Sequence, residues 1–166
     1  MQFTKQSLKD EGFTGFRPMK ALEINRIPQR QGIFMILRPA GFEPQYLAKS
    51  TAGVFKKKNP SLAESALAAE WITDAEVLYI GKAGIGSQGN RGLRRQIQEF
   101  VDFGKGKQPG HWDGRLIWQL ANPQNLLIAW KELPVEALNA SLAKYHAEFA
   151  LAHGGLPFAN LVQARS

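Results

Sequence analysis

The chain of 166 residues contains no cysteine. That excludes a disulfide framework, a thiolate zinc site and a cysteine nucleophile. No stretch approaches the roughly 18 apolar residues that a membrane-spanning helix needs. The opening Met1-Gln2-Phe3-Thr4-Lys5-Gln6 carries no apolar signal core. A soluble, cytoplasmic protein without a membrane partner is the expectation. No G-x-x-x-x-G-K-[ST] phosphate loop and no G-x-S-x-G elbow occur. The glycines of Gly84-Ile85-Gly86-Ser87-Gln88-Gly89 have dinucleotide-loop spacing but lack the later acidic partner of a βαβ unit. His111, His146 and His153 provide no i, i+4 pair for a metal. Acidic residues are few: 14 against 21 Lys and Arg, a net charge of +7. The surplus suggests an anionic partner, of which nucleic acid is the commonest. The apolar share of 44% and charged share of 21% are those of a globular chain, and neither repeats nor low-complexity blocks divide it.

Residues 1–31 are mixed, with Gly12, Gly15, Pro18 and Pro28 breaking any long element. Gly32-Ile33-Phe34-Met35-Ile36-Leu37-Arg38, stopped by Pro39, predicts a buried strand. Residues 40–60 read as a loop with a small strand pair, Gln45–Ala48 and Gly53–Lys56. Asn59-Pro60-Ser61 offers a helix start before Leu62–Trp71. Val77-Leu78-Tyr79-Ile80 predicts a second strand, ended by Gly81. Asn90 is a suitable N-cap for a helix reaching about Phe103. Leu126-Leu127-Ile128-Ala129-Trp130 predicts a third strand, closed by Pro134, and the last helix runs from about Glu136 to His153 before Gly154-Gly155.

Helical geometry, about 100° per residue, places Leu93, Ile97, Phe100, Val101 and Phe103 on one face of the first long helix. Arg95 points to solvent, with Arg94 and Gln96 at the two margins. In the last helix Leu138, Leu142, Tyr145, Phe149 and Ala152 form the apolar stripe, and Glu148 lies at its edge.

These elements carry a scattered set of motifs in a telling order. Gly32-Ile33-Phe34 comes first, then Tyr79-Ile80-Gly81-Lys82-Ala83, then Leu93 opening a helix, then Glu148 with Pro157 and Asn160. The set resembles the GIY-YIG nuclease superfamily. Glu148 and Asn160 are 12 residues apart, as in the E…P-x-x-N ending of the UvrC-type nuclease domain, and Tyr79–Ala83 matches that group's Y-[IV]-G-K-A. His111 falls where several homing-endonuclease relatives carry a histidine. The resemblance covers about residues 28–162 of a single 1–166 domain, with an insertion at about 40–76. It implies an α/β fold, a small, mainly antiparallel central sheet flanked by helices. Three departures stand out. The first tyrosine of the family falls on Phe34. The catalytic arginine falls on Gln96. Positions 34 and 79 are 45 residues apart instead of being joined by a short hairpin.

The resemblance implies a metal-dependent DNA endonuclease. Tyr79 would act as general base beside Lys82, since a nearby cation lowers a phenol's pKa. Glu148 would ligate Mg²⁺ or Mn²⁺, hard ions served by few carboxylates plus phosphate oxygen. His111 and Asn160 would complete the site, and residue 96 would brace the phosphate. Arg91, Arg94, Arg95, Lys105, Lys107 and Arg115 would contact DNA phosphates, Trp112 would stack on a base, and Lys56-Lys57-Lys58 forms a further basic tip. Phe34 and Gln96 favour the alternative, a catalytically weak nuclease-fold module that binds nucleic acid.

Overall fold

The uninterrupted apolar run Gly32–Leu37 is buried along its whole length. In the computed structural model, which describes residues 1–108, 110–162 and 164, it is an inner strand of a four-stranded antiparallel sheet. The strands are β1 (Thr14–Pro18), β2 (Gly32–Leu37), β3 (Val77–Ala83) and β4 (Leu127–Glu132), in the order β1-β4-β2-β3. The helices are α1 (Lys5–Asp10), α2 (Glu64–Glu70), α3 (Leu93–Gly104) and α4 (Leu138–His153). The chain is thus an α/β domain of the expected class, and no helix among the described residues is long and apolar enough to cross a membrane.

Both faces of β2 are covered, which is why it lacks the alternation of a half-exposed strand. Side chains alternate across a strand. Phe34 and Ile36 accordingly join the cluster under α3, with Ile97, Phe100, Val101 and Phe103. Ile33, Met35 and Leu37 join the cluster under α4, with Leu138, Leu142, Tyr145 and Phe149. The helices therefore sandwich the sheet, α3 on one face and α4 on the other. Burying one such side chain contributes about 1.5–3 kcal/mol, so each layer is anchored by several independent contacts.

Residues 1–31 hold no long element, as expected, only α1, opened by a Thr4–Ser7 capping box, and the bulged edge strand β1. Several other local expectations are corrected. Helix α2 starts at Glu64 without using Asn59 or Ser61 as a cap. The Gln45–Ala48 and Gly53–Lys56 segments do not pair with each other. Tyr46 bridges to Leu120 and Phe55 bridges to Lys58. The buried Gln119 amide donates to the carbonyls of Leu47 and Leu62, at 3.0 and 2.6 Å, tying the segment between β2 and α2 to the rest of the fold. Helix α3 opens at Gly92, not Asn90. Its first amides are already used, because Leu93 N–H donates to Arg30 O and Arg94 N–H to Pro28 O, at 2.9 and 3.0 Å. The glycine-rich loop therefore leads into a helix start with little capacity for a phosphate.

Candidate functional site

The residues assigned to catalysis fall on both faces of the sheet. Tyr79 pairs in register with Ile36, and Lys82 with Ile33. Cross-strand partners share a face, so Tyr79 lies under α3 and Lys82 lies on the α4 side. Lys82 Nζ donates to Asn139 Oδ1 in the first turn of α4, 2.7 Å away. Glu148 also belongs to the α4 layer, where its carboxylate pairs with Lys144 at 3.9 Å. Its charge, with that of Glu11, adds to burial in pushing the Tyr145 phenol up to about 12. The expected convergence of Tyr79, Lys82 and Glu148 does not occur. The sheet separates Tyr79 from Lys82 and Glu148, so an Mg²⁺ or Mn²⁺ held at Glu148 would have no tyrosine base beside it. No group of three or more His, Cys, Asp or Glu able to hold a metal exists among the described residues.

Under α3, Tyr79 is 1% exposed and stacks on Phe100, ring centroids 5.8 Å apart and 9° from parallel. Phe34 tilts against it at 5.7 Å. Two glycines make room for the phenol. A Cβ at Gly81 would lie 2.6 Å from the Tyr79 ring, and one at Gly114, where φ is +82°, would crowd both Phe100 and Tyr79. The hydroxyl donates to Asp113 Oδ2 at 2.8 Å. Burial first, then the Asp113 charge, pushes the Tyr79 pKa well above its ordinary value. Both effects oppose the role expected of it, because a general base must give up that proton readily.

His111 is buried in the same layer, against Phe100 at 5.2 Å and Phe34 at 6.3 Å. Its Nδ1–H donates to the Asp113 carbonyl at 2.7 Å. Nε2 therefore carries a lone pair, and it has no partner among the described residues. Burial lowers the His111 pKa, opposed by the Asp113 and Glu99 charges. Tyr79, Asp113 and His111 thus pin the turn 111–114 to the sheet. Asn160 is structural. It sits outside β3, an edge of the sheet, accepting from Ile80 N–H at 2.8 Å and donating to Ile80 C=O at 2.9 Å. One side-chain amide replaces the missing neighbouring strand, which satisfies two buried backbone groups. His146 adds a second donor to the same carbonyl at 3.2 Å while its Nδ1 accepts from Ala164 N–H at 2.9 Å.

The basic residues divide into two groups. A cleft at the start of α3 is lined by Asn90, Arg91, Arg94, Arg95 and Glu99, but its cations are spent internally. Arg91 and Arg95 both pair with Glu99, at 2.5 and 3.3 Å. Arg91 also donates to Gln96 Oε1 at 3.3 Å, so residue 96 serves this network. Arg94 donates to the carbonyls of Ile27 and Asn25, at 2.8 and 3.0 Å. Lys105 and Lys107, in contrast, are exposed, and neither pairs with a carboxylate among the described residues. Arg115 stacks on Trp112, its guanidinium 4.2 Å from the ring centroid, and Phe55 stacks on the same indole at 5.9 Å. Trp112 is therefore engaged and not a free platform for a base. Glu99 organises the arginines, as Asp113 organises Tyr79 and His111, and neither belongs to a motif that sequence reasoning recognises. Only their proximity in the fold reveals them.

Comparison with family models, with curated proteins and with solved structures gives no match.

Proposed function

We propose that this protein is a nucleic-acid-binding module on a GIY-YIG-like frame, one that holds the phosphate backbone of DNA without cleaving it efficiently. The frame is supported by the order of its parts. Gly32-Ile33-Phe34 lies on β2, Tyr79–Ala83 on β3, Leu93 opens α3 and Glu148 lies on α4. The observation that carries the reading is a division of labour in the fold. The groups that would have to meet for hydrolysis lie on opposite faces of the sheet. The exposed lysines of the loop after α3 have no acidic partners among the described residues. Phosphodiester hydrolysis needs an activated water and charge neutralisation at one point in space, whereas phosphate binding needs only accessible cations.

One gel tests both halves. The protein is incubated with supercoiled plasmid and Mg²⁺ or Mn²⁺, with and without a final protease step. Retarded plasmid that returns to supercoiled mobility after proteolysis is the expected result. Gln96→Arg should behave alike, since the added guanidinium would stand beside Arg91 and the carboxylate would still lie across the sheet. Metal-dependent nicking that Glu148→Ala abolishes would overturn the reading.

A further inference from the structure

The insertion contributes a tight hairpin whose backbone runs against its own sequence. Phe55 N–H donates to Lys58 O at 3.0 Å, and Lys58 N–H donates to Phe55 O at 2.8 Å. The two residues between them, Lys56 and Lys57, have φ of 49° and 65°. That is the geometry of a two-residue turn with both central residues left-handed, which strongly prefers Asn-Gly or Gly-Gly. Here it holds two consecutive lysines, with Lys58 following, and all three are exposed. A conformation unfavourable to its own residues, kept on an exposed loop, is a reason to look for a use.

The hairpin is also docked. Phe55 stacks on Trp112 and packs edge-on against Phe103, 6.4 Å away. Lys58 Nζ lies 5.9 Å from the centre of the Trp112 ring. Gln108 donates to Val54 O at 3.2 Å, and a Cβ on Gly53 would come within 3.3 Å of Gly106 O. The insertion is therefore held against the loop that carries Lys105 and Lys107.

We infer that the Lys56–Lys58 hairpin is a second phosphate-contacting element, which with Lys105 and Lys107 forms a two-loop cationic surface for duplex nucleic acid. The inference rests on the nucleic-acid-binding reading above and adds both a site and a strand preference. The preference follows from the aromatics. Single-strand binders offer free rings on which bases stack, whereas Phe55 and Trp112 stack on each other and Trp112 also carries Arg115. What remains exposed is charge, which reads a backbone and not a base.

The test compares the intact protein with the double variant Lys56→Asn plus Lys57→Gly. The new pair suits the turn, so the hairpin should persist and the melting temperature should hold or rise. Binding to a labelled duplex of about 20 base pairs, and to one of its strands, is measured across a salt series. Each phosphate contact contributes about −0.9 to the slope of log affinity against log salt. The variant should therefore bind duplex about tenfold more weakly, with a slope shallower by about 2. A second variant, Lys56→Gln plus Lys57→Gln, should give the same loss and keeps the test valid should the first alter the loop. If the intact protein binds with a steep salt slope and both variants match it, the hairpin inference fails while the binding reading stands. If the intact protein binds neither probe, the binding reading itself fails and the hairpin assignment falls with it. Tighter binding of the single strand would overturn the duplex preference.

Discussion

Replacing Tyr79 by phenylalanine isolates one hydrogen bond. The ring stays where it is, stacked on Phe100 and roofed by Gly81 and Gly114, so packing is preserved and only the hydroxyl to Asp113 Oδ2, at 2.8 Å, is lost. A hydrogen bond to a charged acceptor is worth about 1.5–3 kcal/mol. Asp113 is exposed and regains water when the phenol goes, which brings the cost to about 1 kcal/mol. The reverse change, Asp113→Ala, leaves a buried hydroxyl without an acceptor and frees the turn around His111, a cost of about 2 kcal/mol. For a chain of this length each kcal/mol corresponds to roughly 2–4 °C in melting temperature. Urea unfolding of both single variants and the double variant should give a coupling energy of about 1 kcal/mol. The alkaline limb provides a second reading. The folded protein holds the Tyr79 proton at pH values where the unfolded chain releases it, above 10.0. The stabilisation is therefore complete below that pH and is lost as pH rises through the folded value. The advantage of wild type over Tyr79→Phe should shrink in that range. Zero coupling and coincident alkaline limbs would refute the pinning of Tyr79 by Asp113.

Two further outcomes follow from the same geometry. Asn160→Ala removes both bonds to Ile80 and orphans its N–H at the sheet edge. It should cost about 2–3 kcal/mol, read as a lower urea midpoint, and an unchanged midpoint would mean that the edge is satisfied otherwise. Burial holds His111 and His146 below their ordinary value of 6.5, and His146 must stay neutral to accept from Ala164. Their stabilisation is present above that value and is lost as pH falls through the folded values. Stability should therefore be flat near neutrality and decline in acid, and a constant urea midpoint down to about pH 5 would contradict it.

Much of the frame was legible because its signals are local. The unbroken apolar run 32–37 marks an inner strand, and the apolar stripes of α3 and α4 mark their buried faces. Strand β1 was not legible, because it is a short edge strand, punctuated by glycine and proline and paired through a bulge. The site was less legible, for two different reasons. Tyr79 and Lys82 are three residues apart, and on a strand an odd spacing puts side chains on opposite faces. That fact was present in the sequence, although the resemblance groups the two. Which face of the sheet α4 covers is a tertiary choice, and no local pattern around Glu148 encodes it. The same holds for Arg91, Arg94 and Arg95. Their charge is obvious in the sequence, but their engagement by Glu99 and by backbone carbonyls exists only in the folded chain.

A salt titration of duplex DNA binding compares the intact protein with Lys105→Glu plus Lys107→Glu. Both side chains are exposed, so the variant should fold and melt like wild type. Log affinity of the wild type should fall linearly with log salt. Removing two contacts should make the slope shallower by about 2, with a loss of affinity on every duplex sequence tried. A binding constant that does not change from low to high salt, or a variant that matches wild type throughout, would contradict the claim that this surface exists to hold a phosphate backbone.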